Sequence, residues 1–232
     1  MNLKDLFGGE SDSDSDKSNI MLILVIVCVV LCLVSIIGYF IYNGMNQKTK
    51  TEILNLGQML QKDELEISLK AIPFVNMPSG IITTNPVSYT MSFDCYFESI
   101  GLTSHNIFNI DWSLAVFITG KDYGSDPRVN IMHRTEEANI NILSSFTVPF
   151  KQWFNITFTV DNNKLSTYFN GIEDKSATGR FYWGNIEMNK WVWNKAIVDE
   201  FKNVGIGSVK VKNAVFWDKP LTTSQINIIS KQ

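Results

Sequence analysis

From Ile20 to Tyr42 every residue except Ser35 and Gly38 is apolar, and none is charged. Wound as an α-helix at 1.5 Å per residue, this run reaches about 35 Å, enough to cross the roughly 30 Å hydrocarbon core of a bilayer. A helix packed on a soluble core would show a polar stripe, and this one has none. The pattern therefore predicts a membrane span over residues 20–42. A cleaved leader is the alternative, but its apolar stretch is about 7–15 residues and follows a basic segment, whereas Glu10, Asp12, Asp14 and Asp16 precede this one. Tyr39 and Tyr42 lie at the end of the run, where amphipathic rings favour the headgroup zone.

After the span the period changes twice. Residues 43–63 read as a juxtamembrane linker with a short stalk helix over 51–62, because Ile53, Leu56 and Leu60 repeat at helical spacing. That helix is expected to pack on its own domain. From Glu64 onward, Leu65, Ile67 and Leu69 alternate with polar residues in the two-residue period of a half-buried strand. Further alternating runs follow over 89–97, 112–118, 129–133, 154–160, 165–169 and 204–217. Pro78-Ser79-Gly80, Asp122-Tyr123-Gly124, Asp161-Asn162-Asn163 and Asn170-Gly171 separate them as turns. Many short strands with almost no helix predict a β-sandwich or barrel over residues 64–232. The runs around Asp161-Asn162-Asn163 form a hairpin, and Asn170-Gly171 ends its second arm, since both residues tolerate positive φ.

Charge narrows the choice of partner. The net charge of −3 arises entirely within the first 18 residues, where Lys4 and Lys17 stand against Asp5, Glu10, Asp12, Asp14 and Asp16. The rest is neutral, without the basic excess that a phosphate backbone requires, so nucleic acid is excluded as a partner. Residues 1–19 form an acidic tail with little to bury and are expected to be disordered. Ser11, Ser13 and Ser15, each followed by an acid, suit an acid-directed kinase. Cys28 and Cys32 lie inside the apolar run and Cys95 stands alone downstream, so no disulfide framework is expected.

Within the β region the residues resemble a known family. Gln152-Trp153, the apolar run Ile156 to Val160, Asp161, Leu165, Tyr168 and Asn170-Gly171 are similar to the central hairpin of laminin G-like domains. Val204-Gly205-Ile206-Gly207, Val211 to Trp217 and Asp218 to Ile226 are similar to the last core strand, turn and closing helical turn of that family. Tyr89 to Phe97 resembles its early strand. The resemblance implies an antiparallel two-sheet jelly roll of the concanavalin A-like lectin/glucanase superfamily, preceded here by one transmembrane helix. Where relatives carry an acidic pair before the last strand, this chain has Lys212-Asn213. The resemblance and the Ser-Asp repeat favour a cytosolic N-terminus, although Lys4 and Lys17 before the span balance Lys48 and Lys50 after it.

The same superfamily includes glucanases, whose Glu, Asp and Glu alternate along one strand. No such strand appears here. Asp94 and Glu98 share a face but stand about 13 Å apart along a strand, beyond the roughly 5–9.5 Å that glycoside hydrolysis needs. No catalytic residue is therefore expected. Binding is the expected role, and the aromatic-rich segment with Trp183, Trp191 and Trp193 offers ligand-contact candidates, as a sugar platform or a protein anchor. Filling of the core by Trp191 and Trp193, two residues apart, is the competing assignment. Asp122 and Asp126, beside Gly124, offer oxygens to calcium; otherwise no cofactor is expected. Asn155-Ile156-Thr157 is a glycosylation sequon within a predicted strand. The expected function is a membrane-anchored structural or adhesion module that docks on another protein. A surface lectin that binds a glycan is the alternative. The abundance of Asn, Ile and Lys with a short anchor is similar to membrane proteins of large DNA viruses, which implies a virion membrane as one setting.

Overall fold

A computed structural model describes residues 13–66, 72–73, 88–99, 105–110, 114–119, 128–135, 140–147, 149–179, 191–193 and 208–231. The chain divides into two compact units, Met1–Lys48 and Thr49–Gln232. A helix, α1, runs over Ser13–Asn55, and its part from Met21 on is long and apolar enough to cross a membrane. Among the described residues, 13–19 are helical where disorder was expected.

The second unit is a sandwich. Its strands are β1 (Gln58–Gln61), β2 (Leu65–Glu66), β3 (Ile72–Pro73), β4 (Ser88–Phe97), β5 (His105–Ile110), β6 (Leu114–Ile118) and β7 (Arg128–Arg134). They continue with β8 (Ile140–Thr147), β9 (Trp153–Asp161), β10 (Lys164–Phe169), β11 (Ile172–Thr178), β12 (Trp191–Trp193) and β13 (Val209–Trp217), and a short helix α2 (Thr223–Ile229) follows. One sheet has the order β1-β13-β4-β9-β10-β11, with β2 also on β13, and the other the order β3-β12-β5-β6-β7-β8. Among the described residues all ladders are antiparallel. Between the sheets, Tyr89, Met91, Phe93, Cys95 and Phe97 of β4 meet Phe154, Ile156, Phe158 and Val160 of β9, with Phe108 and Val116 from the facing sheet. Phe93 and Phe108 rings lie 5.6 Å apart across the core. Burial pushes the Cys95 thiol well above its ordinary pKa, so it behaves as a small apolar group.

Two differences from the sequence expectation matter for function. No separate stalk helix forms. Residues 51–55 are the end of α1, Gly57 turns the chain, and residues 58–61 become β1 on the edge of the first sheet. Ile53 and Leu60 are buried, whereas Leu56 is 64% exposed. A Cβ on Gly57 would meet Val215 Cγ1 at 2.5 Å and Trp217 Nε1 at 2.6 Å, so only glycine lets the backbone pass this close. The packed domain consequently begins at Thr49, upstream of Glu64.

The expected hairpin is present, with Asn162 at φ 53° in the two-residue turn between β9 and β10. Asn170 and Gly171 both take positive φ, at 50° and 80°. They make a second hairpin into β11, a strand whose polar, exposed sequence gave no alternation signal. Gly171 also faces α2, because a Cβ there would approach the Asn227 backbone to 2.9 Å. Gly171→Ala is expected to lower stability by about 1–3 kcal/mol, through backbone strain and overpacking together. Urea unfolding measures it, and an unchanged midpoint would mean that α2 yields freely.

Candidate functional site

Strand alternation points half of β4 and β9 away from the core. Thr90, Ser92 and Asp94 share that outer face with Asn155, Thr157 and Thr159, and register sets Ser92 opposite Thr157 and Asp94 opposite Asn155. On a bare sheet these side chains would meet water. Here they are buried, because residues 49–55 of α1 and the whole of α2 lie over them. Ile53, Trp217, Leu221, Ile226 and Ile229 form a second apolar cluster on this side. Trp217 Nε1 donates to the Ile53 carbonyl at 2.9 Å. Thr222 starts α2 with a reciprocal cap, its hydroxyl accepting from the Gln225 amide while the Gln225 side chain accepts from the Thr222 amide.

Asn155 is the hub of the buried polar groups. Its amide nitrogen donates to Ser92 Oγ and Asp94 Oδ1, both at 2.9 Å. Its oxygen accepts from Ser230 Oγ at 2.9 Å, and Thr157 Oγ1 lies 2.7 Å from both that oxygen and Ser92 Oγ. The second Asp94 oxygen accepts from Asn213 Nδ2 at 2.8 Å. Asn213 reaches it from a bulge in β13, where it takes φ 51°. The Lys212-Asn213 pair thus has a structural assignment: Asn213 holds Asp94, and Lys212 places its ammonium 3.8 Å from the centroid of the Trp153 ring. Trp153 packs on Tyr96 at 5.4 Å, and Lys210 lies over Tyr96 at 5.9 Å. The hydrogen bond from Lys210 to Glu64, at 2.8 Å, raises the lysine pKa.

Beside this network lies a cleft of about 270 Å³. Lys50, Asp94, Lys212 and Asn213 line its polar side, and Leu54, Val215, Trp217 and Ile229 its apolar side. Lys50 donates to the Lys231 carbonyl. The cleft therefore combines two cations, one carboxylate with spare acceptor positions, amide groups and an apolar wall.

Of the sequence candidates, Asn155 lies in this network. Trp183, Asp122 and Asp126 lie outside the described residues. Trp191 and Trp193 form β12, where they pair with Ile110 and Phe108. Asn155, the sequon residue, is 3% exposed with its amide engaged inside the fold. Sequence reasoning missed Lys50, Lys212 and Trp153. The usable signal was the i, i+2 polar spacing of Ser92 and Asp94 opposite Asn155 and Thr157.

Two antiparallel sheets, a closing α2 and the hairpin through Asn162 define a lectin-like sandwich. Residues 73–227 match the model of the concanavalin A-like lectin/glucanases superfamily, more than half of the chain, and the protein belongs to that superfamily. Among solved structures it is similar to the botulinum neurotoxin serotype C1 binding domain, with 14% identity and a TM-score of 0.55, over 75% of this chain and 45% of that one. The serotype D binding domain is similar at 14% identity and a TM-score of 0.52, over 75% and 44%. A type C structure, for which cell entry is described as dependent upon interaction with two ganglioside molecules, gives 14%, 0.53, 75% and 46%. The match spans less than half the length of these toxin chains, and at such identity the likeness is one of fold. No curated protein sequence matches significantly.

Proposed function

We propose that the protein is a membrane-anchored recognition module without catalytic activity, held in a bilayer through residues 20–42. Its sandwich docks on another protein at a cell or virion surface, on the non-cytosolic side. The observation that carries this reading is the state of α1. Its large apolar residues from Met21 to Tyr42 expose 48–69% of their surface. Burying one such side chain is worth about 1.5–3 kcal/mol, so the helix needs an apolar solvent. The domain follows closely, since Ile53 already lies in the sandwich's second apolar cluster. A glycan ligand is the second reading, favoured by the fold shared with a toxin whose cell entry depends on gangliosides.

Detergent-phase partitioning tests the anchor. The full chain is expected in the detergent phase and a chain lacking residues 1–48 in the aqueous phase; a full chain in the aqueous phase would sink the anchor. Binding of the protein to target membranes then separates the partners. Loss after protease treatment of the target indicates a protein, and loss after glycosidase treatment indicates a glycan.

A further inference from the structure

We propose that the cleft between Lys50, Asp94 and Lys212 binds a small hydroxylated carboxylate, an acidic sugar unit the size of one hexuronic acid. This deepens the glycan form of the recognition reading and rests on it. Size is the first constraint. About 270 Å³ lies just below the roughly 300–1,000 Å³ of pockets for drug-sized ligands, which suits a ligand of one sugar ring.

Charge is the second. Among the described residues the two lysines outnumber the one carboxylate, that of Asp94. Each Asp94 oxygen takes one amide donor, from Asn155 and from Asn213. A carboxylate accepts about four hydrogen bonds, so about two positions are left for ligand hydroxyls. Lys50 donates to the neutral Lys231 carbonyl, and an ammonium has three donors. A neutral sugar would satisfy the hydroxyl positions and leave the cationic excess unmatched; a carboxylate on the same ring matches it.

Shape is the third. Leu54, Trp217 and Ile229 also line the cleft, and supply the apolar contact that the C–H face of a pyranose takes. A simple anion would leave that wall unfilled, and an aliphatic acid would leave the hydroxyl partners empty.

The test uses the full chain in detergent micelles, titrated with glucuronate, glucose and acetate, and read by tryptophan fluorescence and by calorimetry. Glucuronate is expected to bind at least tenfold more tightly than glucose or acetate. Lys212→Gln should weaken glucuronate binding at least tenfold without shifting the melting temperature by more than a few degrees, and Lys212→Arg should restore most of it. Equal binding of glucose and glucuronate, both lost in Lys212→Gln, would overturn the acidic-sugar assignment and leave a glycan site in place. Glucuronate binding that ignores Lys212→Gln would place the ligand elsewhere. Silence of the folded protein towards all three would remove the cleft as a sugar site, while the anchor and the protein-docking reading would still be decided by partitioning and by protease treatment.

Discussion

A fragment starting at Glu64 is expected to unfold at much lower urea than one starting at Thr49, or not to fold at all. Both keep the strands that pack across the core, but the shorter one lacks Ile53 and Leu60, which are 5% and 7% exposed. It also loses β1 from the edge of β13 and the carbonyl that receives the Trp217 indole N–H. Each buried aliphatic side chain is worth about 1.5–3 kcal/mol. With the uncovered Trp217 included, the loss is about 5 kcal/mol or more, comparable with the roughly 5–15 kcal/mol that hold a domain together. Near-ultraviolet circular dichroism against urea measures the difference. Equal midpoints for the two fragments would show that residues 49–63 merely lean on the sandwich.

Asn155→Leu should be the most damaging single substitution on the outer face. Leucine matches the volume but removes every polar contact at once. Asp94 keeps only the Asn213 amide, Ser230 loses its acceptor, and Thr157 is left with Ser92 Oγ alone. Leaving a buried polar group unsatisfied costs about 1–3 kcal/mol each, so the total is about 3–5 kcal/mol. Urea unfolding of the variant checks it. Thr159→Val, on the same face but outside this network, is the control and should shift the midpoint little. If both variants behave alike, the hydrogen bonds around Asn155 are exchanging freely with water.

The parts of the fold that were legible are those in which local pattern and tertiary role agree. β4, β9, β10 and β13 alternate cleanly because one face of each meets the core. Asn162 and Asn170-Gly171 mark turns because their backbones take positive φ. β11 was hidden because an exposed edge strand has no apolar face to display. β1 was read as helix because Leu60 follows Ile53 by two turns, and a spacing of seven does not separate one long helix from a helix that ends at a glycine. What decides is the close pass of Gly57 over Trp217, a contact between residues 160 positions apart. The candidate site was legible only in part. Ser92, Asp94, Asn155 and Thr157 declare a polar face, and alternation alone assigns such a face to solvent. Its burial comes from α1 and α2, segments from opposite ends of the domain, which no local pattern records.

That joint cover sets an order on synthesis. Lys50 and Lys231, linked by a hydrogen bond, are separated by 181 positions, and Ser230 completes the contacts of Asn155. Contacts of such long range form late. A nascent chain halted before Ile226 already holds its apolar helix and both sheets, while Asn155 still lacks Ser230 and the α2 side of the outer face stands uncovered. The outer face is thus the last surface to close, and it is the one that a folding chaperone would meet.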